Sequence, residues 1–355
     1  MKKLLISLSL FILDISAMFI FKRYPDFFFP GYRIFSQKWI AFLSSVFAIV
    51  PFSLWDIIAL ILFIILIITL VSAIRNRHFF KWLNNVFLII SIFCFVAVYG
   101  WLLNHYGPPL SEEIDLEVSL YSHDQLLDAT AYYFDMAAKY SEEIVRDEEK
   151  HAVKMDFDEL AITAGHNYEL LKEKYPFFKG STRRVKRFSL LGYYLLYNGI
   201  IGMFMPLSGE ASLPLHVPTV PLPYTMCHEA AHRQGLAGED EANFAAFLAC
   251  ISSDDVRFIY SGYYSAFSYC LSSLYKVKPE SAMTLLESHE ELPYLLVRLD
   301  RSDTAKQYQK YESPLQDISD QINDTYLKTF NEENGIESYG LVSDYLIAYY
   351  LELKK

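Results

Sequence analysis

The fold of this chain is decided by two long apolar stretches, LWDIIALILFIILIITLVS (residues 54–72) and WLNNVFLIISIFCFVAVYGWLL (residues 82–103). Each has about the 20 residues that an α-helix needs to cross the apolar core of a bilayer. A third stretch, residues 4–21, follows Lys2 and Lys3 and contains no obvious small-residue cleavage site. The sequence therefore predicts a membrane module over residues 1–104 with three transmembrane helices.

The charges that flank these stretches predict their orientation. The connection over residues 74–81 is basic, whereas the segment that follows residue 103 is acidic. Because basic residues are retained on the cytoplasmic side of membranes, we expect the N-terminus in the cytoplasm and the chain after about residue 105 outside it. The sequence thus predicts a multi-pass protein of the cell membrane in contact with the lipid bilayer, with Trp82 and Trp101 at the membrane interfaces.

The rest of the sequence predicts a mainly α extracytoplasmic domain over residues 105–355. Helical periodicity is present over residues 122–146 and 156–174, whereas the prolines of residues 207–224 require an extended segment. Residues 22–51 combine aromatic side chains with Arg and Lys. That mixture is typical of an amphipathic segment on the membrane surface, or of a segment folded against the outer domain.

The overall charge and the cysteines limit the possible functions. The formal net charge is -11 and no clustered basic face is indicated, so we expect no nucleic-acid partner. The cysteines show no Cys-x-x-Cys spacing, which argues against a thiolate zinc site, a redox motif or a disulfide framework.

The segment that carries chemistry is His228-Glu229-Ala230-Ala231-His232. Residues four apart lie on one face of a helix, so both imidazoles can be directed at one cation. The carboxylate of Glu229, one position round the helix, can then take a proton from a water molecule whose pKa that cation lowers. The motif predicts a Zn²⁺ site with His228 and His232 as ligands and Glu229 as general base.

A third ligand is expected from the following helix, because a catalytic zinc ion normally takes three protein groups. Two glycines after His232 allow the first helix to end, and a second helix begins at Glu239-Asp240-Glu241-Ala242-Asn243. Glu239 is the preferred ligand, since Asn243 lies on the same face and can orient it. Glu241 is the alternative because the step from His232 to Glu239 is short. Carboxylates at a helix start are also favoured by the helix dipole alone.

Several segments resemble a known family. They are Met205-Pro206-Leu207-Ser208-Gly209-Glu210-Ala211, Leu222-Pro223-Tyr224-Thr225, and residues 228–235, 239–244, 323–328 and 338–340. Over nearly the whole chain the sequence resembles the DUF3810 family of bacterial membrane proteins, which implies the N-terminal spans. A broader likeness to gluzincin peptidases, in which Glu-x-x-Ala follows the His-Glu-x-x-His helix, implies a zincin-like domain with peptidase activity. Most gluzincins have a much longer insertion between the two helices, so Glu239 and Glu241 both stay candidate ligands.

Two further features are expected to assist catalysis. Residues 212–217 are predicted to form an edge strand that pairs with the substrate backbone, and His216 within them is interpreted as an ordinary polar residue. Tyr339 is the first candidate for a donor that stabilises a developing oxyanion.

Together these features predict a membrane-anchored zinc metallopeptidase that hydrolyses a peptide or protein substrate. Two other functions would use the same residues. One is a non-catalytic membrane sensor or binding protein with a structural metal, in which Glu229 has no chemical role. The other is a zinc amidase or esterase that acts in the cell envelope.

Overall fold

A computed structural model of the chain describes residues 2–330 and 341–355, and this part is mainly helical. The first four helices are α1 (Lys2–Arg23), α2 (Pro25–Phe47), α3 (Leu54–Arg75) and α4 (Phe79–Gly100). Of these, α1, α3 and α4 are long and apolar enough to cross a membrane, as the sequence predicts. Since α3 and α4 pack as a hairpin and α1 packs along α4, the start of α3 and the ends of α1 and α4 lie together.

Helix α2 corresponds to the predicted amphipathic segment. It contacts both the apolar helices and the domain formed by residues 107–330 and 341–355, which is called the outer domain for its position beyond those helices. The hydroxyl of Ser36 donates to the carbonyl oxygen of Gly100 at the end of α4 (2.9 Å). The amide of Gln37 donates to the carbonyl oxygens of Phe177 (3.2 Å) and Gln234 (2.7 Å). Helix α2 is therefore folded against the outer domain.

The outer domain follows a short 3-10 helix, Leu102–Tyr106, and is built from helices around one core. Its described helices are α5 (Leu110–Glu113), α6 (His123–Ser141), α7 (Phe157–Lys174), α8 (Gly192–Tyr197), α9 (Leu222–His232), α10 (Glu239–Ile251), α11 (Val256–Val277), α12 (Pro279–Glu287), α13 (Leu292–Gln309), α14 (Leu315–Thr329) and α15 (Val342–Leu353). The periodicity predicted α7 correctly, and it predicted α6 with an end at residue 146 where the helix stops at Ser141. Ser122 starts α6 through a capping box with Gln125, and Asp156 caps α7.

The centre of the outer domain is formed by α9 and α10, which pack against each other and against α7 and α11. Alanines allow the helices to approach closely, and they are fully buried: Ala230, Ala231, Ala242, Ala245, Ala246 and Ala249. His228, Glu229, His232 and Asn243 on these two helices are consequently enclosed by protein.

A small sheet lies beside α9, and its topology corrects the predicted edge strand. The strands are β1 (Lys186–Arg187), β2 (Met203–Met205) and β3 (Glu210–Leu213), in the order β1-β3-β2. Strand β3 pairs with β1 in parallel and with β2 antiparallel. The prediction that residues 212–217 form an edge strand is wrong, because β3 ends at Leu213 and is hydrogen-bonded on both sides.

Two buried carboxylates join the start of α3 to the outer domain. The carboxylate of Glu210 accepts from the backbone N–H groups of Leu54 and Trp55 (2.9 Å each) and from the ammonium group of Lys186 (2.6 Å). In return, the carboxylate of Asp56 accepts from the backbone N–H groups of residues 189–191, at 2.6, 2.6 and 3.0 Å. The outer end of α3 and this part of the domain are thus held together directly.

Candidate metal centre

Helix α9 presents the motif residues inside the domain. It starts after Pro221, with Pro223 in its first turn, and the backbone N–H of Tyr224, which has no acceptor within the helix, donates to the hydroxyl of Ser261 (3.0 Å). The helix ends at His232, and Gly235 (φ 88°) turns the chain toward α10. The turn is short, so the first residue of α10 lies next to the last turn of α9.

The structure brings His228, His232 and Glu239 together. A carboxylate oxygen of Glu239 lies 3.2 Å from Nε2 of His228 and 3.8 Å from Nε2 of His232. One potential ligand atom from each residue lies within 4.8 Å of the others, and the three side chains are about nine-tenths buried. This spacing is compatible with three protein ligands around one cation.

Glu241, the alternative third ligand, contacts a different part of the chain. Oε1 of Glu241 accepts a hydrogen bond from the backbone N–H of Leu110 (2.6 Å). Burial lowers the pKa of Arg33, and the charge of Glu241 is among the effects that oppose this shift. Glu241 therefore supports the start of α5. Among the described residues, the group of three side chains that could hold a metal ion is His228, His232 and Glu239.

Two other residues were singled out from the sequence, Tyr339 and His216. Tyr339 lies outside the described residues. His216 contacts the hydroxyl of Tyr193 (2.7 Å).

Neighbouring groups hold the two imidazoles. Nδ1 of His232 lies 2.8 Å from the carbonyl oxygen of Leu236, which favours a proton on Nδ1 and leaves a lone pair on Nε2. The indole N–H of Trp101 donates to the backbone carbonyl of His232 (3.0 Å). Asn243 lies beside His228, and its side-chain oxygen accepts from the hydroxyls of Tyr224 and Tyr269 (3.2 Å each). The sequence suggested that Asn243 orients Glu239, and the contact that the structure gives for Asn243 at the cluster is with His228.

Glu229 is buried next to the cluster, and a glycine makes room for it. A Cβ atom at Gly202 would lie 2.7 Å from Cδ and 2.8 Å from Cγ of Glu229, closer than ordinary contact allows. Burial, and secondarily the charge of Glu239, raise the pKa of Glu229 to about 8 against the opposing effects of His228 and Arg233. A nearby cation would lower this pKa, so the arrangement suits a carboxyl group that exchanges a proton.

The two histidines respond differently to burial. For His228, burial is the largest effect and lowers the pKa, but the hydrogen bond and charge of Glu239 outweigh it and the pKa is raised. For His232, burial lowers the pKa to about 4. His232 is therefore uncharged at neutral pH, while Nε2 of His228 faces a carboxylate oxygen of Glu239 at 3.2 Å.

The donor atoms fit a zinc ion. Two imidazole nitrogens and one carboxylate oxygen, on three side chains that the fold already holds together, form a donor set found in zinc sites that keep a position for water. The imidazole orientation fixed by Leu236 is of the kind that metal-binding histidines require.

Two residues beside the cluster had no role at this site in the sequence prediction. Trp101 was expected at a membrane interface, but its side chain is buried against His232 and Phe204. Gly202 was not singled out, because nothing local distinguishes it from a loop glycine. Its proximity to Glu229 depends on how β2 packs against α9.

The fold and the site define a mainly helical protein with three helices suited to cross a membrane and a candidate metal centre inside its outer domain. The chain belongs to the family described as "Protein of unknown function (DUF3810)", whose model matches residues 32–347. This match confirms the resemblance to the DUF3810 family that the sequence motifs indicated. No curated protein and no solved structure matches the chain.

Proposed function

We propose that this protein is a membrane-anchored zinc metallopeptidase with His228, His232 and Glu239 as metal ligands. The observation that carries the proposal is the convergence of these three side chains, with the buried carboxyl group of Glu229 adjoining them. Helical spacing alone would bring His228 and His232 together. The approach of Glu239 depends on the packing of α10 against α9, which makes the cluster a more specific signal than the motif.

Each residue then has a defined task. A bound zinc ion would supply Lewis-acid chemistry that acidifies water and polarises a carbonyl group. Glu229 accepts the proton of the attacking water and returns it to the leaving amine. Leu236 orients the imidazole of His232, Asn243 lies beside that of His228, and Gly202 leaves the space that the carboxylate of Glu229 occupies.

Strand β2 is the proposed binding edge for a peptide. It lies at the end of the sheet order among the described residues, so one of its edges has no neighbouring strand. It follows directly on Gly202, and the ring of Phe204 lies 6.0 Å from that of His232. A peptide added to this edge would pass beside Glu229, as substrate binding by strand addition requires.

The outer domain is proposed to be extracytoplasmic. Lys2, Lys3, Arg75 and Arg77 lie at the ends of α1 and α3 that are remote from the outer domain. Such basic residues favour the cytoplasmic side of a membrane. Lys22 and Arg23 lie at the opposite end of α1, next to the outer domain. The remote basic cluster includes the short loop between α3 and α4, where positive charge has its strongest effect on topology.

The experiment that tests the proposal compares the wild-type protein with Glu229→Gln and Glu241→Gln. Each purified full-length protein is loaded with zinc, incubated with a peptide mixture and examined by mass spectrometry for new termini, while its zinc content is measured. We expect cleavage by the wild type and Glu241→Gln, and retention of zinc without cleavage by Glu229→Gln. Cleavage by Glu229→Gln at the wild-type rate would contradict the proposal, as would the absence of cleavage by the zinc-loaded wild type.

One observation favours a second candidate function, a membrane protein with a structural metal. The side chains of His228, His232 and Glu239 are only 11%, 9% and 13% exposed, which leaves little access for a substrate. In that case zinc would raise the thermal stability of the wild type and of Glu229→Gln equally, and neither protein would cleave peptides.

A further inference from the structure

Helix α14 has an apolar face that is exposed among the described residues. Leu315, Ile318 and Ile322 are 45%, 56% and 66% exposed and are spaced by three and four residues, which places them on one side of the helix. Tyr326 continues this row. Isolated exposed apolar residues are common, but a continuous row of them along a helix indicates a surface that binds something.

The other sides of α14 are polar in a specific arrangement. One side faces the protein, where Ser319 contacts Asn198 (3.4 Å) and Leu327 is fully buried. The side opposite the apolar row carries charged residues with the same spacing: Asp317, Asp320, Asp324 and Lys328. A helix with an apolar face and a charged face opposite is typical of one that lies in the plane of a membrane interface.

A second exposed apolar surface, around α8, adjoins the helix. Leu190, Tyr193 and Tyr194 are 55%, 57% and 60% exposed. The segment before α14 contacts α8, since the hydroxyl of Ser313 donates to the carbonyl oxygen of Tyr197 (2.6 Å). We use the name apolar belt for the six residues Leu190, Tyr193, Tyr194, Leu315, Ile318 and Ile322.

The belt lies between the outer ends of two membrane helices. On the α8 side, Asp56 in the first turn of α3 binds the backbone of residues 189–191. On the α14 side, Tyr326 and Phe330 contact the imidazole of His105, which follows shortly after the end of α4. Both ends of the belt are therefore fixed at the level where α3 and α4 would leave the bilayer.

We propose that the apolar belt is embedded in the surface of the same bilayer that α3 and α4 cross. Because the belt continues from the outer ends of those helices, the surface that covers it is the lipid bilayer. The tyrosines suit this position, because aromatic side chains with a polar tip are enriched at membrane interfaces. Embedding the belt removes a row of large apolar side chains from water. This inference depends on membrane insertion and does not require peptidase activity.

The position of α14 has a structural consequence for the metal centre. His105 contacts α14 on one side and the ring of Trp101 on the other, with 5.8 Å between the ring centroids. Trp101 in turn donates to the carbonyl oxygen of His232. Contact of the belt with lipid would thus hold α14 in place. His105 and Trp101 connect this helix to His232, a candidate metal ligand.

The test places a fluorophore at single cysteines on opposite faces of α14 in the full-length protein. Ile322→Cys lies on the apolar row, and Asp320→Cys on the charged side is its matched control. Both are made in a Cys94→Ser background, because the other three cysteines are buried. The labelled proteins are reconstituted into phosphatidylcholine vesicles with and without a lipid that carries a nitroxide quencher in its acyl chain.

We expect strong quenching by the nitroxide lipid at position 322, with a blue-shifted emission, and little quenching at position 320. Equal, water-like behaviour of the two labels would overturn the proposal. So would shielding of position 322 that increases with the protein-to-lipid ratio and is insensitive to the nitroxide lipid, since this result would identify a second copy of the chain as the occupant. Zinc content and peptide cleavage do not enter this measurement.

Discussion

Trp101 donates its indole N–H to the carbonyl oxygen of His232 at 3.0 Å. Trp101 is the residue that follows α4, and His232 is the last residue of α9. One hydrogen bond thus connects the end of a helix suited to cross a membrane with the helix that carries two candidate metal ligands. The candidate centre consequently lies at the junction between the two parts of the molecule.

Removal of the third ligand should weaken metal binding. Glu239→Gln is expected to lower zinc affinity by more than about tenfold, because loss of a direct ligand should exceed the effect of losing a supporting residue. Glu241→Gln is the matched control, since its amide oxygen can still accept from Leu110 N–H. Competition with a chelating dye measures both affinities. Equal losses in the two variants would argue against Glu239 as the ligand.

The space beside Glu229 should be required for catalysis but not for metal binding. The methyl group in Gly202→Ala would displace the carboxylate of Glu229, and kcat/KM should fall by about a hundredfold. Gly31→Ala is the control, because a Cβ atom there meets nothing within 4 Å. Zinc content is measured in parallel. If Gly202→Ala retained full activity, the carboxylate of Glu229 would not need its present position.

The metal-free protein should lose stability as the pH rises toward 8. Burial raises the pKa of Glu229 from 4.5 to about 8, so its contribution is fully present below pH 4.5 and is lost as the pH rises through about 8. Between about pH 6.5 and pH 8 the loss should be about 2 kcal/mol. Thermal unfolding after chelation measures it, and the decline should be smaller in Glu229→Gln. Parallel profiles of the two proteins would contradict the raised pKa.

Loss of the carboxylate at the start of α3 should destabilise the junction with the outer domain. Asp56→Ala leaves three backbone N–H groups of residues 189–191 without their acceptor, which should lower the free energy of unfolding by about 3 kcal/mol. Asp26→Ala, which removes an exposed acid from the first turn of α2, is the control. Thermal unfolding in detergent compares them. Similar melting temperatures would show that the contacts of Asp56 contribute little.

The outer domain should be accessible from outside the cell. A cysteine introduced at exposed Asp320 should react with a membrane-impermeant maleimide on intact cells, in the Cys94→Ser background. A cysteine at exposed Arg77, in the loop between α3 and α4, should react only after the membrane is permeabilised. The opposite pattern would reverse the proposed orientation.

The sequence by itself determined the features that depend on local spacing. Runs of apolar residues identified the three helices suited to a membrane, because length and composition suffice for that prediction. Spacing placed His228 and His232 on one helical face, and Ser122 and Asp156 marked the starts of α6 and α7. Each of these features is set by residues within a few turns of one another.

The tertiary structure decided what depends on how separate segments pack. The choice between Glu239 and Glu241 follows from the direction in which α10 leaves the turn at Gly235, which no residue spacing specifies. The expected edge strand lies in the middle of the sheet, because β3 acquired partners on both sides from distant parts of the chain and β1 and β2 became the end strands. Trp101 reached His232, and Gly202 reached Glu229, only through such packing. Contacts between distant residues depend on the relative placement of whole helices and strands, and that placement is not encoded in any local stretch of sequence.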